Sequence, residues 1–372
     1  MSAPDRNLAR ALAVSVLAAV LLGCGSRPKP NSAMFRAGEQ RTGVFRDSGP
    51  AGLANLRWRF PTRGEVRSSP VVSGNTVYFG SWDSCFYAVS ADSGKELWHA
   101  KTRSWVFSTP LVQDNRVYFG GIDHHVYCLD AATGKLIWRT RTGRLVTSSP
   151  TIAQGRLFIG SWDSNLYVLT ARTGKVLMKL PTKGWVQSSP AISQDVLAFG
   201  CYDSCCYAFS LKTGRQLWRF KTRGVVFATP ALVAERLFVG SCDGTFYCLE
   251  SASGKPVWRF PTRGEIIGSA AVRDDRVYFG SCDSTLYALN AKDGALVWQF
   301  KTRGEIRSSV SLAAGILYFG SNDSCLYAVS AETGTELGRF RTQGDVRSTP
   351  FIHGGSVYVG SHDGSVYCLG RD

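Results

Sequence analysis

Val77-Tyr78-Phe79-Gly80-Ser81-Trp82-Asp83-Ser84-Cys85-Phe86-Tyr87 decides the fold: an apolar alternating run, a tight turn that carries an aspartate, and a second such run. The frame returns every 40 residues. Glycine stands at 80, 120, 160, 200, 240, 280, 320 and 360, followed by Asp83, Asp123, Asp163, Asp203, Asp243, Asp283, Asp323 and Asp363, and tyrosine recurs from 87 to 367, with no insertion or deletion in the series. A fixed period of about 20 to 50 residues marks stacked or radial repeats.

Working outward from that stretch, one frame reads as four strands, at 66–72, 76–80, 85–90 and 96–100, separated by turns such as Ser73-Gly74-Asn75 and Asp92-Ser93-Gly94. Four short antiparallel strands per repeat make a propeller blade. A helical solenoid needs helices and polar caps, and neither is present. Proline at 70, 110, 150, 190, 230 and 350 falls in the first strand, which a strand tolerates only along an unpartnered edge such as the one facing a central channel. The chain stops at Leu369-Gly370-Arg371-Asp372, where a fourth strand should start, while the repeats open on an unpaired fourth strand, Leu56-Arg57-Trp58-Arg59-Phe60. Pairing the two hides both sheet edges. The expected fold is all-β: an eight-bladed β-propeller of four-stranded antiparallel blades whose ring closes by pairing of N- and C-terminal strands.

The repeat leaves no room for a second core, so residues 55–372 read as one domain. Arg6 and Arg10 precede an apolar run from Ala11 to Leu22, which has the length of a signal peptide and is too short to span a bilayer. Residues 1–23 are expected to be a leader and 24–54 a tether and extended lead-in without regular structure. The formal charge of +15 suits anionic partners of any kind; an exported chain sets nucleic acid aside. Cys128, Cys248 and Cys368 share a slot with alanines and read as small buried apolar residues. Cys201 and Cys205 form the one local candidate pair, and no Cys or His spacing suggests zinc.

Two resemblances follow. Leu21-Leu22-Gly23-Cys24 resembles the lipobox of bacterial lipoproteins, which implies acylation of Cys24; Gly25, not aspartate, then implies an extracytoplasmic chain on the periplasmic face of the outer membrane. The unit Gly-Ser-x-Asp-x-x-x-Tyr-Ala-Val, then Thr/Ser-Gly-Lys-x-x-Trp, resembles the pyrroloquinoline-quinone-type propeller repeat. There the tryptophan docks between blades. Trp58, Trp98, Trp138, Trp218, Trp258 and Trp298 match, while Met178 and Gly338 depart and are expected to make looser joints. The repeat serves two groups. Quinoprotein dehydrogenases hold quinone and calcium through residues in insertions, which this chain lacks, and have adjacent cysteines like Cys205-Cys206. BamB-type lipoproteins serve outer-membrane β-barrel assembly, and a lipobox, short tether and uninterrupted blades resemble their plan. The resemblance therefore implies a monomeric, non-catalytic scaffold for a protein partner, without cofactor or metal; an extracytoplasmic glycan- or ligand-binding propeller is the first alternative and a dehydrogenase the second.

Eight identical aspartates are what turn-fixing produces, whereas catalysis needs inequivalent acid and base. Recognition belongs where the repeats differ. The connection from fourth to first strand and the turn from second to third strand emerge on one face, so the slots of residues 65, 67 and 82 share a rim. On blades one, seven and eight it carries Glu65, Arg67, Glu305, Arg307, Asp345 and Arg347. Across the ring stand Trp105, Phe107, Trp185 and Phe227, beside turns that bear Trp82, Trp162 and Tyr202. Aromatics next to arginines at loop tips are enriched in protein interfaces, and these residues are the partner-binding candidates. The alternative is that the aromatics plug the channel mouth and the Glu-Arg pairs are solvated.

Overall fold

The computed structural model describes residues 33–370; the leader, Cys24 and the tether up to residue 32 lie outside it, as do residues 371–372. Eight antiparallel sheets form, one per repeat. Blade one comprises Val71–Ser73, Thr76–Gly80, Cys85–Ser90 and Glu96–Lys101, and the same layout recurs at each repeat. Blade eight takes Phe351–His353, Ser356–Gly360 and Ser365–Gly370 from the C-terminus and Leu56–Pro61 from the N-terminus. Trp58 pairs with Cys368 and Phe60 with Val366, so the ring closes as the sequence implies.

The first strand is shorter than the sequence reading, at Val71–Ser73 rather than 66–72. Its missing residues spend their amides sideways. Val66 N–H donates to Ser361 O of the preceding blade at 3.1 Å, and Ser69 N–H to Thr109 Oγ1 of the next at 3.2 Å. The relay continues from Thr109 to Ser149 and Ser189, and closes where Thr349 N–H meets Ser69 Oγ at 2.8 Å. Pro70, with no N–H to give, sits at the junction where lateral bonding hands over to in-blade pairing.

Two side-chain contacts fix the angle between blades. The glycine of each frame leaves a hole for a β-branched residue of the next blade: a Cβ on Gly240 would lie 2.2 Å from Ile266 Cγ2, one on Gly80 2.3 Å from Val106 Cγ1, and Gly360 meets Val66 across the closure. Farther out, each repeat tryptophan reaches the following blade, as when Trp98 Nε1 donates to Ala131 O at 3.1 Å over Gly134. Met178 keeps this shape with its sulfur above Gly214. Gly338 is no loose joint: the backbone at Gly52 and Leu53 lies against it, with Leu53 buried. A tryptophan there would collide with the incoming chain.

That incoming chain is not the irregular lead-in expected from sequence. Residues 33–45 enter the channel and bond to the inner strands in turn. Ala33 exchanges two hydrogen bonds with Val112; the carbonyls of Glu39, Gln40, Thr42 and Gly43 then accept from Ile192, Leu232, Val272 and Leu312 at 2.8–2.9 Å. Phe35–Ala37 forms a 3-10 turn, and Val44–Phe45 adds a parallel strand beside Leu312 and Ala313. Small side chains at Thr151, Ala191, Ala231, Ala271 and Ser311, where other blades have Val71, Leu111 and Phe351, leave space for the segment. Arg36 and Arg41 are wholly buried within it. Arg41 donates to Pro150 O at 2.7 Å and Pro190 O at 3.1 Å, Arg36 to Ser269 O at 3.0 Å and Val310 O at 3.2 Å. Burial, aided at Arg36 by Arg41, brings both guanidiniums down to about 9, and Glu39 partly offsets it at Arg41. The segment closes the channel at the end near the turns between first and second strands, opposite the rim of slots 65 and 82.

Because the glycine hole is filled from the neighbouring blade, Gly240→Ala should cost about 1–3 kcal/mol by overpacking. Adding Ile266→Ala should recover part of that cost, which a double-mutant cycle in urea unfolding reads as non-additivity; strictly additive losses would mean that the seam does not set the blade angle.

Candidate functional site

The rim is assembled from backbone outward. In successive blades the turn amide bonds to the entry connection: Trp82 N–H to Glu65 O, Tyr202 N–H to Trp185 O, His362 N–H to Asp345 O, each at 2.9 Å. Slots 65 and 82 therefore project from one rigid ledge. The repeat aspartates lie just beneath. Asp83 accepts from Arg63 N–H at 3.1 Å and Tyr87 Oη through Oδ2, and from Cys85 N–H at 3.0 Å through Oδ1. Asp243 and Asp323 repeat all three bonds. Tyrosine hydroxyls of the frame bond likewise to Asp123, Asp163, Asp203, Asp283 and Asp363. These bonds occupy the carboxylates in holding turn to strand, a duty the recurring tyrosine shares.

Above them the rim divides. On blades one and two Trp82 stacks on Trp105 at 4.4 Å with Arg67 over its ring at 3.8 Å. Trp162 stacks on Trp185 at 4.4 Å, Trp185 meets Tyr202 at 4.6 Å, and Tyr202 meets Phe227 edge-on at 5.7 Å, a continuous aromatic file across blades three to five. Trp105 and Tyr202 remain 44% exposed, while Phe107 is half-buried. These rings cover one another.

The opposite half is polar and self-paired. Glu65 holds Arg67 at 2.6 Å, Glu305 holds Arg307 at 2.6 Å and Asp345 holds Arg347 at 2.8 Å. Asn322 bridges two of these pairs, accepting from Arg347 at 3.1 Å and donating to Glu305 at 3.2 Å. His362 lies between Glu65 and Asp345; burial, then the charge of Arg67, brings it down to about 4. Neither Asn322 nor His362 was singled out by the sequence, because each fills the turn slot once and repeat statistics do not mark a single occurrence.

The sequence also missed a recess of about 290 Å³ between blades two, three and four, lined by His124, Arg144, Leu145, Trp162 and Trp185. Its signal was readable: blade three has Thr142-Gly143-Arg144 where blade two has Thr102-Arg103-Ser104 and blade four Thr182-Lys183-Gly184, the cation one place earlier. The swap brings the arginine one residue closer to the ledge.

Calcium needs oxygen donors that converge. Among the described residues no group of three or more His, Cys, Asp or Glu is placed to hold a metal ion. Cys205 and Cys206 lie buried in a strand, unpaired, and burial holds the Cys206 thiol far up. Cys201 faces Cys205 across the ladder, also unpaired, so the candidate disulfide does not form.

The sequence model of the family described as outer membrane protein assembly factor BamB matches residues 53–139, 122–228 and 202–372. The chain belongs to this family. Among solved structures, BamB from Moraxella catarrhalis is 16% identical over 85% of this chain and 97% of its own, with a TM-score of 0.73. A europium-containing methanol dehydrogenase is 13% identical over 90% and 91%, at 0.77, and the quinohemoprotein alcohol dehydrogenase of Comamonas testosteroni 16% identical over 91% and 80%, at 0.76. Likenesses this distant in sequence carry the fold alone. No curated protein matches the chain in sequence. BamB-family membership and quinoprotein neighbours thus agree on a PQQ-like propeller.

The folded state keeps His362 neutral where the unfolded chain would protonate it. Between about pH 6.5 and 4 the unfolded form binds the extra proton, so this contribution is complete above pH 6.5 and lost as pH falls toward 4. His362→Gln should flatten the stability loss over that window, and NMR titration should find the His362 ring still neutral at pH 5; a midpoint near 6.5 would contradict the buried placement.

Proposed function

We propose that the protein is a membrane-tethered, non-catalytic scaffold that docks a protein partner on its loop rim, in the assembly of outer-membrane β-barrel proteins. The observation that carries this reading is the rim itself: a rigid ledge on which an aromatic file and paired charges stand side by side, in a chain of the BamB family. Aromatic anchors ringed by arginine suit a protein interface. Glu65, Arg67, Trp82, Trp105, Phe107, Trp162, Trp185, Tyr202, Phe227, Glu305, Arg307, Asp345 and Arg347 are the docking residues of this reading. An enzyme on the same fold would need distinct acid and base groups, and every frame carboxylate is engaged through Oδ2 by the tyrosine of its own blade.

Cys24, outside the described residues, is the proposed point of lipid attachment. Two or more acyl chains hold a protein at a bilayer where one does not. Cys24→Ser should therefore shift the protein from the membrane to the soluble fraction of lysed cells, and retention in the membrane fraction would remove the anchor. For the rim, site-directed cross-linking in cells with Trp105→Ala/Trp185→Ala/Arg347→Glu should abolish the main adduct. These side chains are at least partly exposed, so the fold survives their loss, and an unchanged adduct pattern would move docking to another surface.

A further inference from the structure

We infer that the recess between blades two, three and four is the anchor pocket of this rim, and that it takes an acidic protein segment bearing one bulky apolar side chain. The inference rests on the reading of the rim as a docking face and gives that face its chemistry. The recess, at about 290 Å³, is of the size of one large side chain with room at its lip. Two indoles and Leu145 make its wall. Trp162 is fixed from two sides, its Nε1 donating to Thr147 Oγ1 at 2.8 Å and its ring lying 8° from parallel with Trp185. Walls already locked cost little to order on binding, so an apolar side chain seated against them keeps most of its burial energy.

Charge selects the rest of the ligand. Arg103, Arg144, Lys183 and Arg223 are exposed along blades two to five, and none makes an ion pair among the described residues. Inside them, the entry slot that holds Glu65, Glu305 and Asp345 on the far half holds Trp105, Leu145, Trp185 and Val225. The same series continues on the far half as Arg63, Arg263 and Arg303, but there the neighbouring entry slot supplies carboxylates, Glu65, Glu265 and Glu305, of which Glu65 and Glu305 also hold Arg67 and Arg307; the cations around the recess have no carboxylate in that slot. An apolar pocket inside a crescent of unpaired cations is complementary to a segment with Asp or Glu on either side of an apolar residue. Phosphate would answer the cations but leave the indole-lined wall unused.

The test is selection of random twelve-residue peptides, displayed on phage, against the full-length protein. The selected pool should be enriched in Phe, Leu, Ile or Trp flanked by Asp and Glu. Chosen peptides should lose roughly 10-fold or more in affinity to Trp185→Ala. Arg144→Glu should weaken them too and, used as the selection target, shift the flanking preference toward Lys and Arg. A pool without acidic bias, affinities unmoved by both substitutions, or retention of neutral oligosaccharides in place of peptides would overturn the inference. Failure of the docking-face reading shows elsewhere, as an unchanged cross-linking pattern in cells, so the two failures are separable.

Discussion

Everything in this ring follows from a methyl group that is absent. Where each second strand ends, glycine leaves a hole, and a valine or isoleucine of the next blade occupies it closely enough that a Cβ at Gly280 would come within 2.1 Å of Ile306 Cγ2. Such a contact admits one approach angle, since packed cores resist even a methylene of change. Repeated without insertion it returns the chain to its start, where Val66 nests on Gly360. The hydroxyl-to-amide relay on the inside and the tryptophan on the outside hold the same angle at two other radii.

A seam this uniform leaves the rim as the place where blades can differ without opening the circle. The differences are organised by position around the ring. Exposed ion pairs contribute little to stability, about 0–1 kcal/mol, so the paired charges of blades one, seven and eight add little to the ring itself. Aromatic stacking is worth about 0.5–1.5 kcal/mol beyond burial, and it stiffens the other half. Blades two to five thus combine stacked, partly exposed rings with cations that have no carboxylate in the adjacent entry slot, which the remaining blades do not.

How far the sequence disclosed this depends on whether a feature repeats. Blade number, closure through Trp58 and the shared placement of Glu65 and Trp82 all rest on period, and the structure agrees with each. The first strand was read too long because alternation at 66–72 does not say to whom an amide donates; Ser69 donates to the next blade. The threading of residues 33–45 was not legible at all, since it is made of backbone carbonyls and two buried guanidiniums, and neither carries a pattern. Gly338 looked like a defect only while Leu53 had no known position.

The threaded segment also orients the molecule. Ala33 is tied to Val112 at the mouth opposite the rim. Residues 25–32 can span at most about 3.3–3.6 Å each, roughly 30 Å together. With Cys24 in a bilayer, as proposed, that limit keeps the closed mouth near the lipid and turns the aromatic file outward. Lipid attachment and partner recognition then act at opposite ends of the channel. The buried arginines fasten the threaded segment to the carbonyls of Pro150, Pro190, Ser269 and Val310, on four different blades, instead of to a single edge strand that could peel away.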